Sequence, residues 1–257
     1  VLIKRKRVRS HNEDRWLALV LATSAGTLNA MALSAFGFFP SHMSGNTSQI
    51  SSEVSRSDFE DLFFFSLILI AFIAGAFSAR LAVAAGSKKN LRTIYCLMLL
   101  AEGIALSLLS GIELLFHSSE NNRESIIFLA FLMGIHNATS TQLSNGRVRS
   151  THITGTVTDA GIALGSMVAG WLSRDANSVQ RAQYKVLSTH LTTLFSFIGG
   201  GIAGLLLYRL AGFAAMLGVG IFLILVASGA IMLALSTTRR PRKSTVRPRG
   251  ITSQQSE

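Results

Sequence analysis

The stretch FAAMLGVGIFLILVASGAIMLAL, Phe213 to Leu235, holds no charged residue over 23 positions. Wound as an α-helix it is about 35 Å long, enough to cross a hydrocarbon core of about 30 Å. A water-facing helix of that length would show a polar stripe, and this one is apolar on every side. Five more runs have the same character: Trp16 to Phe36, Leu62 to Ala84, Leu91 to Phe116, Ile126 to Leu143 and Leu187 to Tyr208. Six such runs predict an all-α integral membrane protein of about six transmembrane helices.

The charges follow the same division. They make up 14% of the 257 residues against 49% apolar, and they gather between the runs. Six Lys and Arg precede the first run, four lie in Arg80 to Arg92, five in Arg147 to Lys185 and six after the last run. Alternating crossings put all of these on one side. The other side keeps Arg56, Arg123 and Arg209, and its connections also carry Glu53, Asp58, Glu60, Asp61, Glu120 and Glu124. Lys and Arg are retained in the cytoplasm, so both termini are expected there. The net charge of +11 then records topology and lipid-surface contact, not a phosphate-binding face, and no nucleic-acid partner is expected.

The expected organisation is a basic cytoplasmic N-terminus over 1–15, one six-helix membrane domain over 16–236, and a basic disordered cytoplasmic tail over 237–257. That tail mixes Pro241 and Pro248 with Arg, Ser and Gln and has nothing to bury. Ile153 to Trp171 is apolar enough to pass for a seventh span, but a seventh crossing would carry the basic tail outside. It is expected to re-enter, to lie at the interface or to form a half-helix. Cys96 is the single cysteine, which excludes an intrachain disulfide and a cysteine-based metal site.

An internal repeat runs through the spans. Gly26-Thr27-Leu28-Asn29-Ala30 returns as Gly134-Ile135-His136-Asn137-Ala138, each with an alanine, Ala22 or Ala130, four residues before the glycine. Ser41-His42-Met43-Ser44-Gly45 returns as Thr151-His152-Ile153-Thr154-Gly155, and Gly75 to Ala82 returns as Gly204 to Ala211, both reading G-x-x-x-x-R-L-A. Three matches in one order predict a duplicated three-helix unit, repeat A over 16–116 and repeat B over 126–235. Three crossings are odd, so the second copy enters from the opposite side, which gives inverted-topology repeats with short half-helix or re-entrant segments after the first and fourth spans. Ala22, Gly26 and Ala30, like Ala130, Gly134 and Ala138, share one helix face and are expected to be packing seams.

Ser44-Gly45-Asn46-Thr47 after a G-x-x-N-A helix, with Thr154-Gly155-Thr156 after its partner, resembles the YoaK-like membrane proteins, a family named for unknown function. The resemblance covers about Trp16 to Leu235. It departs at Asn29, where the family often has aspartate. It implies a bacterial inner-membrane protein of about six helices, and it implies no substrate.

The two hydroxyl-glycine turns are the strongest candidates for chemistry. A hydroxyl residue at a helix start, with glycine allowing close approach, leaves backbone N–H groups able to hold an anion. The candidate binding set is Asn29, Ser44, Gly45, Asn46, Thr47, Asn137, Thr154, Gly155 and Thr156. Ionisable groups in or beside spans are costly and face the bundle interior or water, which makes Glu102, Asp159, His42 and His152 candidate coupling residues. Histidine titrates near neutral pH, so His42, His136 and His152 are able to tie a proton to movement.

The chain has no H-E-x-x-H, G-x-S-x-G or P-loop spacing, and no catalytic, metal or cofactor site is expected. The leading expectation is a small transporter moving a small solute or ion between inverted repeats, in the lipid bilayer and as a homodimer. The rival is a membrane scaffold or regulatory subunit whose polar motifs only stitch helices together.

Overall fold

The structure is a computed structural model describing residues 10–91, 93–116, 122–173 and 177–238. The basic segments 1–9 and 239–257 lie outside the described residues, as do His117 and Glu120, and of the tail expected to be disordered over 237–257 the first two residues, Thr237 and Thr238, instead continue α8. Eight helices make up the described residues: α1 His11–Phe36, α2 Met43–Arg56, α3 Phe59–Lys88, α4 Ile94–Phe116, α5 Arg123–Ser144, α6 Ile153–Leu172, α7 Asn177–Ala211 and α8 Phe213–Thr238. Six of them are long and apolar enough to cross a membrane, all but α2 and α6. They coincide with the six expected spans. This is an all-helical, multi-pass membrane protein.

Boundaries differ where polar residues extend a helix past its apolar run. α1 starts at His11 because Ser10 caps it: the Ser10 hydroxyl accepts from the Glu13 N–H while the Glu13 carboxylate accepts from the Ser10 N–H. α7 starts at Asn177, well before Leu187, and its added turns are polar.

Hydrogen bonds and close contacts fix the helix directions. Arg15 Nε lies 3.4 Å from Thr192 Oγ1, and further along the same pair of helices the Thr27 hydroxyl donates to the Gly200 carbonyl at 3.0 Å. α1 and α7 therefore run parallel. α3 and α5 are likewise parallel, tied at their starts by Arg123 to Asp61 at 2.7 Å. Asp14 near the start of α1 meets Arg147, just past the end of α5, at 2.6 Å, so those two helices run in opposite directions. Phe36 at the end of α1 packs on Phe213 at the start of α8, ring centroids 5.7 Å apart, so α8 returns toward the end where α1 begins.

Glycines set the distance between these helices. A Cβ on Gly26 would sit 2.1 Å from the Phe197 carbonyl oxygen of α7, and one on Gly134 would sit 2.2 Å from the Phe72 oxygen of α3. Gly200 and Gly204 press in the same way on the Thr23 and Thr27 carbonyls, and Gly75 on that of Phe131. Ala22, Ala25, Ala130 and Gly134 are buried beside them. The small-residue faces are packing seams. α4 and α8 form a third seam at Gly103 and Gly220.

Two connections fold back into the bundle. After α1, Gly37 takes φ 71°, a left-handed conformation that suits glycine, and its N–H bonds the Leu33 carbonyl. The chain then returns along α1 until Ser41 N and Oγ donate to Asn29 Oδ1 at 3.3 and 2.9 Å. After α5 the same reversal brings Ser150 Oγ within 3.1 Å of Ser140 Oγ. α2 and α6 thus begin beside the interior of α1 and α5, not at their ends.

A large residue at a seam must separate the helices. Gly134→Val is expected to abolish or strongly lower the melting transition of the detergent-solubilised protein. Gly111→Ala, whose Cβ meets nothing within 4 Å, is expected to be neutral or to stabilise by about 0.5–1 kcal/mol through helix propensity.

Candidate functional site

The starts of α2 and α6 open on one shared cleft of about 650 Å³. It is lined by Asn29 and Asn137, Ser41 and Thr151, His42 and His152, Met43 and Ile153, Ser44 and Thr154, with Phe39, Phe72 and Phe197 as its aromatic walls. Ser41 to Ser44 and Thr151 to Thr154 contribute at every position, and Asn29 is matched by Asn137. Among the described residues, no Asp, Glu, Lys or Arg lines it.

His42 and His152 are the N-cap residues of α2 and α6, with backbone angles of −89°, 64° and −90°, 64°. Neither helix has a side-chain cap. Each imidazole folds over the glycine three residues on: a Cβ on Gly45 would lie 2.1 Å from the His42 ring, and one on Gly155 would lie 2.3 Å from that of His152. This is the reason for the His-x-x-Gly spacing, since the absent side chain seats the ring. Among the described residues, the Ser44, Gly45, Thr154 and Gly155 N–H groups bond no acceptor, whereas those of Asn46 and Thr156 close the first turns onto the His42 and His152 carbonyls. Free N–H groups at a helix start carry partial positive charge.

The two asparagines differ. Asn29 is buried and accepts from Ser41, while Asn137 Oδ1 is buried at the cleft with no hydrogen-bond partner. A buried amide oxygen left unpaired costs about 1–3 kcal/mol, so it is suited to a ligand or water.

Of the candidate binding residues, Asn29, Ser44, Asn137 and Thr154 line the cleft and the rest do not. Gly45 and Gly155 seat the imidazoles. Asn46 and Thr156 point the other way and are buried, because residues two apart on a helix lie on opposite faces. Asn46 Nδ2 has no partner there, while the Thr156 hydroxyl donates to the His152 carbonyl. Thr47 is exposed and donates to Met43 O. The cleft also takes in Ser41, Thr151 and the three phenylalanines, which were not among the candidates. The two hydroxyls sit at matched positions of the repeat, whereas Phe72 and Phe197 carry no repeat signal.

The coupling candidates separate. His42 and His152 line the cleft, and Asp159 lies at 4.0 Å from His190 between α6 and α7. Glu102 is paired with His136, Nδ1 to Oε1 2.7 Å, with both side chains 1% exposed. The opposite ring nitrogen, Nε2, donates to the Leu21 carbonyl at 3.0 Å. Three helices, α4, α5 and α1, are joined at this point. Leu28 occupies the position of His136 in the other repeat, so the pair is not duplicated.

A family model described as "Protein of unknown function (DUF1275)" matches residues 17–229, which takes in every cleft residue and the Glu102–His136 pair. The chain belongs to this family. No curated protein and no solved structure matches it. Membership in DUF1275 names no activity, so the chemistry rests on the cleft.

Removing one member of the buried pair leaves the other unpaired. Glu102→Leu is expected to destabilise the bundle by about 3 kcal/mol or more, and adding His136→Leu is expected to recover most of that loss. Unfolding in a denaturing detergent series measures both.

Proposed function

We propose that the protein is a small carrier built from two inverted repeats, which moves a solute or ion through the cleft by rocking two bodies in which the repeats exchange helices, α1 with α6 and α7 against α5 with α2 and α3, with α2 and α6 as re-entrant half-helices. The observation that carries the reading is the lining of one cleft by the same motif positions from both halves. The packing agrees with it: α1 lies parallel to α7 as α5 lies parallel to α3, the exchange that an inverted duplication requires. Discontinuous helices whose starts meet at a repeat interface are the usual binding element of such carriers.

The lining favours a small solute with an anionic or strongly accepting group. It presents two uncapped helix starts, two imidazoles and several hydroxyls and, among the described residues, no carboxylate to attract a cation. The setting is the bacterial inner membrane with both termini in the cytoplasm, supported by the excess of Lys and Arg on one side. Six spans make half of a twelve-helix carrier, and the proposal extends to a homodimer.

Binding raises the melting temperature by mass action. The purified protein screened against acetate, nitrate, phosphate and uncharged analogues such as acetamide is expected to show a concentration-dependent rise with an anion, lost in Asn137→Ala Thr154→Ala. A folded double variant with the full rise would remove the cleft from the account. No rise with any compound would favour a scaffold that only holds helices or partners together. For topology, green fluorescent protein fused after Glu257 is expected to fluoresce, and alkaline phosphatase fused there to stay inactive.

A further inference from the structure

Among the described residues, Glu102–His136 is the ion pair with both side chains buried, the cleft does not use it, and its hydrogen bonds fix its proton content. The Leu21 carbonyl only accepts, so Nε2 of His136 carries a hydrogen. The 2.7 Å contact between Nδ1 and Oε1 needs one proton between them, whichever atom holds it. The pair therefore holds two protons and has no net charge, as its burial demands. A further loss would leave an uncompensated negative charge between α1, α4 and α5.

The pair also crosses the line of movement. Leu21 belongs to the body of α1 and α7 and His136 to that of α5 and α3, and His136 directly precedes Asn137 of the cleft. If these bodies rock, this junction opens. Among the described residues, no other charged side chain bonds either member of the pair. Of the elements packed against the pair, α8 has no titratable residue. α3 carries Glu60, Asp61, Arg80 and Lys88 toward its two ends, and α5 carries Arg123 and Glu124 at its start. α1 has His11, Glu13, Asp14 and Arg15 in its first turns, and α4 has Tyr95 and Cys96 near its start and Glu113 toward its end.

We propose that Glu102 and His136 form a proton site that couples one proton to each change of the cleft from one side to the other. This rests on the carrier reading. While the junction is open to water, the shared proton leaves as hydronium and Glu102 stays ionised beside a neutral His136. The junction closes only after a proton is taken back, from whichever side the cleft then faces. The balance is one proton released and one bound, with no other reactant.

The test uses the full chain with Cys96→Ala, spin-labelled at Ser55→Cys on α2 and Ala211→Cys at the end of α7, in nanodiscs. Double electron–electron resonance reads the distance between the two bodies at about pH 5 and about pH 8, either side of the ordinary imidazole range. Two distance populations are expected, with a ratio that changes by about tenfold or more between the two conditions. Glu102→Gln, which keeps a hydrogen bond to His136 without the acid, is expected to hold the ratio constant. Should that variant fail to fold, Glu102→Leu His136→Leu takes its place with the same expectation.

Two populations indifferent to pH would overturn the proton site and leave the carrier standing. An undiminished pH response in Glu102→Gln would also overturn it. A single distance under every condition would overturn both readings.

Discussion

Helix association in lipid has no hydrophobic drive, because the surrounding chains are as apolar as leucine, so the bundle depends on close approach. Here that approach is glycine against carbonyl. Gly26, Gly200 and Gly204 bring α1 and α7 together, and Gly75 and Gly134 do the same for α3 and α5. At these distances a methyl group overlaps a backbone oxygen, and no side-chain rotation relieves it. The two parallel pairs are therefore rigid units, and α4 with α8 forms a third through Gly103 and Gly220.

That rigidity allows the polar segments to exist. A connection that folds back toward the interior must satisfy its backbone without lipid, and Ser41 on Asn29 and Ser150 on Ser140 do part of this. The residue left over is informative: Asn29 is paired, and Asn137 at the matched position keeps a buried oxygen with no partner. The two matched motifs differ at the cleft, and again next to it, where His136 stands at the position matched by Leu28. Those two adjacent positions lie on α5, which packs on α1, α3 and α4.

Much of this was legible in the chain. Six spans follow from hydrocarbon thickness alone, and the Lys and Arg distribution separated Ile153 to Trp171 from them. The repeat predicted which residues would meet, and Asn29, Ser44, Asn137 and Thr154 do meet. Gly45, Asn46, Thr47, Gly155 and Thr156 do not line the cleft, because a contiguous motif on a helix turns away from a common face within two residues. The glycines also have another task, seating imidazoles, which a motif alone does not express. The partner of Glu102 was hidden for a different reason. It lies 34 residues away on another helix, at a position with no counterpart in the other repeat.

The central claim is that the cleft at Asn137 belongs to both sides of the membrane in turn. Asn137→Cys in a Cys96→Ala chain, treated with a membrane-impermeant thiol reagent in right-side-out and in inverted vesicles, tests it most directly. The account predicts labelling from each side, since rocking exposes the same position alternately. Labelling from one side only, or from neither in a folded protein, would contradict it.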